Sequence, residues 1–79
     1  MKIKLHSTED IERLVKFTTK HSKCTFDIAK GSVLVDAASY LGVCSLDTSG
    51  ELDIIVHGES RDATKAEIGL REEFDCKYA

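Results

Sequence analysis

Between Cys24 and Val35 the chain alternates, breaks and alternates again. Cys24, Phe26 and Ile28 alternate with Thr25, Asp27 and Ala29. Lys30-Gly31-Ser32 interrupts the pattern, and Val33-Leu34-Val35 resumes it. A period of two puts one set of side chains on one face of a strand. A glycine-containing break this short joins two strands only as a hairpin. An antiparallel pair is therefore fixed near the middle of a 79-residue chain, and the rest has to be arranged around it.

Ile3 and Leu5 alternate with Lys2 and Lys4, which predicts a first strand. Ser7-Thr8-Glu9-Asp10 fits the S/T-x-x-D/E pattern of a helix start. Ile11, Leu14, Val15 and Thr18 then form one stripe at helical spacing, predicting a helix over 8–21. Glu9, Asp10 and Glu12 load its first turns, and Lys16, Lys20 and His21 come late, as the helix dipole favours. Asp36 is placed to cap a short helix through Ala37–Leu41. Asp47-Thr48-Ser49-Gly50 reads as a loop. Leu52, Ile54 and Val56 alternate as a fourth strand that Gly58 ends. Ser60 or Asp62 opens a last helix with the stripe Ala63, Ala66, Leu70 and Phe74.

The order β-α-β-β-α-β-α, with one tight hairpin, implies an α+β fold. Its sheet is antiparallel or mixed and carries helices on one face. The length suits a single domain over residues 1–79.

A net charge of −3, with Lys and Arg spread along the chain, excludes a broad nucleic-acid or anionic-membrane surface. Apolar runs such as Val33-Leu34-Val35 are far shorter than the roughly 20 residues of a membrane span. No apolar h-region follows Met1-Lys2-Ile3-Lys4-Leu5, so a signal peptide is not expected. Cys24, Cys44 and Cys76 are odd in number and widely spaced. That argues against a CxxC motif or zinc knuckle and for reduced thiols in the cytoplasm. Cys24 shares a face with Phe26 and Ile28 and is expected in the core; Cys76 is expected at the surface. His21 and His57 have no recognisable partner in the sequence. No metal site, cofactor or enzymatic constellation is expected.

The stretch Ser39-Tyr40-Leu41-Gly42-Val43-Cys44-Ser45-Leu46 resembles the regulatory-serine helix of the HPr phosphocarrier family. That family serves the bacterial phosphoenolpyruvate-dependent sugar phosphotransferase system, and its usual form here is S-[IV]-[ML]-G-V-[ML]-S-L. Lys30-Gly31 is similar to the family's hairpin turn, and the strand and helix after Gly50 agree in type and spacing. The resemblance implies an open-faced β-sandwich with a four-stranded antiparallel sheet and three helices on one face. It implies an antiparallel relation between the first and fourth strands, with His6 and His57 at opposite ends. It also implies Ser39 as a regulatory phosphorylation site, with an ordinary first-turn serine as the alternative. Tyr40, Leu41 and Cys44 match the family's docking patch, with packing of Leu41 and Cys44 into the core as the alternative.

The family's phosphoacceptor motif, G-[LIM]-H-x-R-P-[AS], is missing. The chain has Leu5-His6-Ser7-Thr8-Glu9-Asp10-Ile11 there, in a shorter loop. Counting back from Lys30-Gly31 puts Ser7 at the histidine position, whereas a one-residue shift lays Leu5-His6 over the family's Leu-His. No arginine or proline follows in either case. A phosphohistidine needs helix N-terminal amides and a guanidinium fork, and Glu9 and Asp10 would compete for those amides and repel the phosphate. The expected function is a protein-binding or regulatory module that has lost standard phosphohistidine transfer, with phosphotransferase-system components or a regulator as partners. The alternative is an active phosphocarrier that accepts the phosphoryl group on His6.

Overall fold

The computed structural model describes residues 1–78. Strand β1 (Lys2–Lys4) leads into helix α1 (Thr8–Lys20). The hairpin strands β2 (Thr25–Lys30) and β3 (Val33–Asp36) follow, then helix α2 (Tyr40–Cys44), strand β4 (Leu52–His57), helix α3 (Ser60–Glu73) and strand β5 (Asp75–Lys77). The strands form one sheet in the order β3-β2-β4-β1-β5, with every neighbouring pair antiparallel. The fold is α+β, with an antiparallel sheet and three helices.

Residues directly opposite in an antiparallel pair share a face. Ile28 opposes Val35 and Ile54, and Ile3 opposes Leu52 and Cys76. This face meets Ile11, Leu14 and Phe17 of α1, Val43 of α2, and Ala66 and Leu70 of α3 in one buried core. The other face carries Thr25, Asp27, Ala29, Leu34, Asp53 and Ile55, none of them buried. Phe17, which lies outside the apolar stripe read from the sequence, is the hub of the aromatic core. Its ring meets Phe26 edge-on at 6.0 Å and Phe74 at 5.9 Å, and His21 packs at 4.3 Å.

The hairpin turn comes from Gly31, whose φ of +61° is the left-handed region that glycine enters without strain. Ser7 caps α1 as its sequence pattern requires, accepting from the Asp10 amide at 3.2 Å. The Asp10 carboxylate does not complete the reciprocal box; it accepts from the His6 amide at 2.9 Å instead.

Three expectations need correction. The sheet has five strands rather than four. Phe74 does not continue α3 but caps it in an extended conformation (φ −131°, ψ 163°), and Asp75–Lys77 then pairs with β1. Cys76 faces inward opposite Ile3 on that strand, so it is half-buried rather than exposed.

The short helix is shifted along the chain. The Ala37 amide still donates to Phe26 O, extending the hairpin, while Asp36 Oδ1 accepts from the Ala38 amide in a local turn. Ser39 is then the cap of Tyr40–Cys44, its Oγ accepting from the Gly42 amide at 3.1 Å. Helix α3 opens at Ser60, one of the two expected starts, behind the extended Glu59.

Candidate functional site: an apolar helix surface and a paired histidine

Helix α2 is five residues long, too short to hold itself in water. Three things fix it. Val43 is fully buried beneath it. Ser39 caps its start, and Ser45 Oγ donates to Gly42 O at its end. Gly42 leaves room for the Ser39 cap: a Cβ there would sit 3.1 Å from Ser39 Oγ and 3.2 Å from Ser39 Cβ.

With Val43 pointing inward, the opposite side of the turn faces solvent. Leu41 is 80% exposed, and Tyr40 and Cys44 are also exposed. Leu41 and Cys44 do not pack into the core, so the three residues of the docking-patch resemblance share one surface. From Ala37 to Leu46 no residue is charged, in a chain where charged residues make up 32%. Hydrogen bonding to Cys44 is the largest influence that pushes the Tyr40 pKa up. Partial burial and the Glu12 carboxylate add to the shift. Tyr40 therefore stays a neutral phenol.

His6 lies in solvent with 63% of its side chain exposed, and its Nε2 is 2.9 Å from Asp75 Oδ2 on β5. Its ring is thus tied to the α3–β5 junction. At the start of α1 the Asp10 amide is taken by Ser7, and Asp10 itself is bound by Arg13 at 3.1 Å. Arg13 also donates to Glu73 O and lies over the Phe74 ring, 4.8 Å from its centre. Its guanidinium serves as a structural tie between α1 and the end of α3. No local pattern signals this role, because Arg13 and Glu73 are 60 residues apart.

His57 has a partner that lies far away in sequence: Asp27 Oδ2, 2.9 Å from its Nε2 across the open sheet face. The β1–β4 ladder pairs Lys2 with Asp53 and Ile3 with Leu52, so His6 and His57 leave the sheet in opposite directions. Among the described residues, no three His, Cys, Asp or Glu side chains converge in a metal-binding group. No helix among them is long and apolar enough to cross a membrane. The chain matches no protein-family model, no curated protein and no solved structure.

Proposed function

We propose that this chain is a divergent HPr-like protein-binding or regulatory module, related to the sugar phosphotransferase system, that docks on protein partners through α2. The observation that carries the reading is Leu41, 80% exposed on a helix that buried Val43 holds in place. Interface centres are depleted of charge and anchored by apolar and aromatic groups. Leu41, Tyr40 and Cys44 supply that chemistry on a preformed turn, so little ordering entropy is lost on docking. Regulation by phosphorylation of Ser39 belongs to the same proposal. The phosphate would stand at the start of a helix, where its charge is favoured.

Loss of phosphohistidine transfer is the second half of the reading. A ring held by Asp75, beside a helix start occupied by Ser7 and flanked by Glu9 and Asp10, is poorly equipped to stabilise a dianionic phosphoryl group.

Two measurements test the proposal. The protein is mixed with phosphoenolpyruvate and phosphotransferase enzyme I, with a standard HPr in the same tube, and intact mass is followed. The expected result is labelling of the standard alone; an acid-labile phosphoryl group lost in His6→Ala would restore the carrier reading. In amide NMR titrations with enzyme I, shifts are expected to centre on Tyr40–Cys44 and to vanish in Leu41→Ser. Shifts that Leu41→Ser leaves unchanged would remove α2 as the docking element.

A further inference from the structure

The sheet has two edges, and they are built differently. β5 presents Asp75 and Lys77, both charged and exposed, and Lys77 is ion-paired with Glu51 at 3.4 Å. Such charges are the usual guard against edge-to-edge pairing. On β3 the charge is confined to Asp36 at the strand's end, and Val33–Val35 carry no such guard. Val33 is 51% exposed and Leu34 58%, the chain contains no proline, and the β2–β3 register runs without a bulge from Lys30↔Val33 to Asp27↔Asp36.

Which backbone groups this edge offers follows from its neighbour. The Ala37 amide donates to Phe26 O, inward across the hairpin. Direction alternates along an antiparallel strand, so Val35 and Val33 also turn their N–H and C=O toward β2. Those of Leu34 face outward.

We infer that β3 pairs antiparallel with β3 of a second copy of this chain, about a twofold axis at Leu34, to form a continuous ten-stranded sheet. Opposed residues must share a face, and this restricts the register. With Leu34 opposite its own copy, Val33 meets Val35 of the second chain on the helix-covered face, twice by symmetry. The two Leu34 residues exchange both hydrogen bonds of the axial pair, and their side chains meet on the open face. Asp36 falls opposite the uncharged Ser32.

The neighbouring registers are worse. Centring on Val35 sets Leu34 against the Asp36 carboxylate, and centring on Val33 sets it against Ser32. The Leu34 register also leaves the two Asp36 residues four positions apart along the strand. That is roughly 14 Å at about 3.4 Å per residue, beyond the Debye length of about 8 Å at physiological salt. The strand is short, so the dimer is a weak one, below the standard interface size. It uses Val33–Val35 rather than Tyr40, Leu41 and Cys44, so it stands or falls independently of the docking proposal.

Sedimentation equilibrium from about 10 µM to about 1 mM tests it, a range that brackets weak association. The wild-type mass is expected to rise from the 8.7 kDa of one chain toward twice that value. Leu34→Lys, at a position exposed enough to tolerate the change, should weaken association at least tenfold. The register is read by oxidation in a Cys44→Ser, Cys76→Ser background. Leu34→Cys should cross-link to its copy, because a hydrogen-bonded pair stands about 5.5 Å apart at Cα, within disulfide reach. Asp36→Cys should not. A wild-type mass of one chain throughout, an association indifferent to Leu34→Lys, or equal cross-linking by the two cysteine variants would each overturn the inference.

Discussion

His6 Nε2 and Asp75 Oδ2 lie 2.9 Å apart, joining the loop ahead of α1 to the strand after α3 across 69 residues of sequence. Arg13 makes a second tie at the same junction, through Asp10, the Glu73 carbonyl and the Phe74 ring. The two should contribute unequally. The His6–Asp75 pair is more than half exposed on both sides, and exposed pairs contribute about 0–1 kcal/mol. Arg13 combines a charge-assisted hydrogen bond with a cation–π contact on a buried ring, each worth roughly 0.5–1.5 kcal/mol. His6→Ala is expected to change urea-unfolding stability by less than about 0.5 kcal/mol, and Arg13→Ala to lower it by about 1–2 kcal/mol. Amide exchange at Cys76 and Lys77 should quicken in both variants. Equal losses of stability would refute this ranking.

Gly69 sits inside α3, where alanine is ordinarily the better helix former by about 1 kcal/mol. Packing opposes the substitution. A Cβ at this position would stand 2.9 Å from Phe17 Cε2 and 3.0 Å from its Cζ. The Phe17 ring has little room to retreat, with Phe26, Phe74 and His21 around it. Overpacking of this kind costs about 1–3 kcal/mol, which exceeds the propensity gain. Gly69→Ala should therefore destabilise the protein by about 1 kcal/mol in chemical denaturation. Adding Phe17→Leu should make the glycine-to-alanine step less unfavourable, since the two sites share one contact. A stabilising Gly69→Ala would show the helices free to shift apart.

Local patterns decide some elements of this fold, and tertiary packing decides the others. The hairpin, α1 and its Ser7 cap, and β4 were legible because local periodicity and capping chemistry decide them. β5 was not, since Asp75-Cys76-Lys77 has too few residues to alternate and is held by β1 from the far end of the chain. Asp36 and Ser39 are both good capping residues, so residue type alone does not place the α2 cap. What separates them is the hydrogen bond from the Ala37 amide to Phe26 O, which keeps the chain extended past Asp36. The α2 surface could be named from the residues, but its exposure depended on Val43 winning the buried side of a five-residue helix. The partners of His6, His57 and Arg13 are all tertiary, and no local pattern announces them.

The three thiols differ in burial, and their reactivity should follow. Burial pushes the Cys24 pKa up, with a smaller contribution from the Asp62 carboxylate. Burial likewise raises that of Cys76. Cys44 is exposed on α2. Under native conditions a thiol reagent should modify Cys44 first, Cys76 more slowly, and Cys24 at the rate of opening. The pH dependence has a definite sign. A folded pKa above the unfolded value means that the folded state holds the proton more tightly. The associated stability is complete below the ordinary thiol value of 9.0 and is lost as pH rises through the folded pKa. The melting temperature is expected to fall as pH rises above 9.0, less steeply in Cys24→Ala. A slope untouched by that substitution would assign the alkaline limb to other groups.

Asp27 and Asp36 stand directly opposite each other on the open face of the β2–β3 hairpin. Like charges at that spacing are destabilising. His57, 2.9 Å from Asp27, offers a donor to one carboxylate only, and Asp36 Oδ1 is used by the Ala38 amide. Asp36→Asn separates these roles. The side-chain oxygen that serves Ala38 is retained, while the charge facing Asp27 is removed. The variant should be more stable than the parent by a few tenths to about 1 kcal/mol at neutral pH and low salt, the range of a cross-strand pair. That advantage should shrink as salt screens the repulsion. Asp36→Ala loses the turn acceptor as well and should give most of the gain back. A double-mutant cycle with Asp27→Asn isolates the repulsion: once Asp27 is neutral, Asp36→Asn should have almost no effect. An Asp36→Asn gain that persists unchanged in that background would locate its origin in the turn rather than in the pair of facing carboxylates.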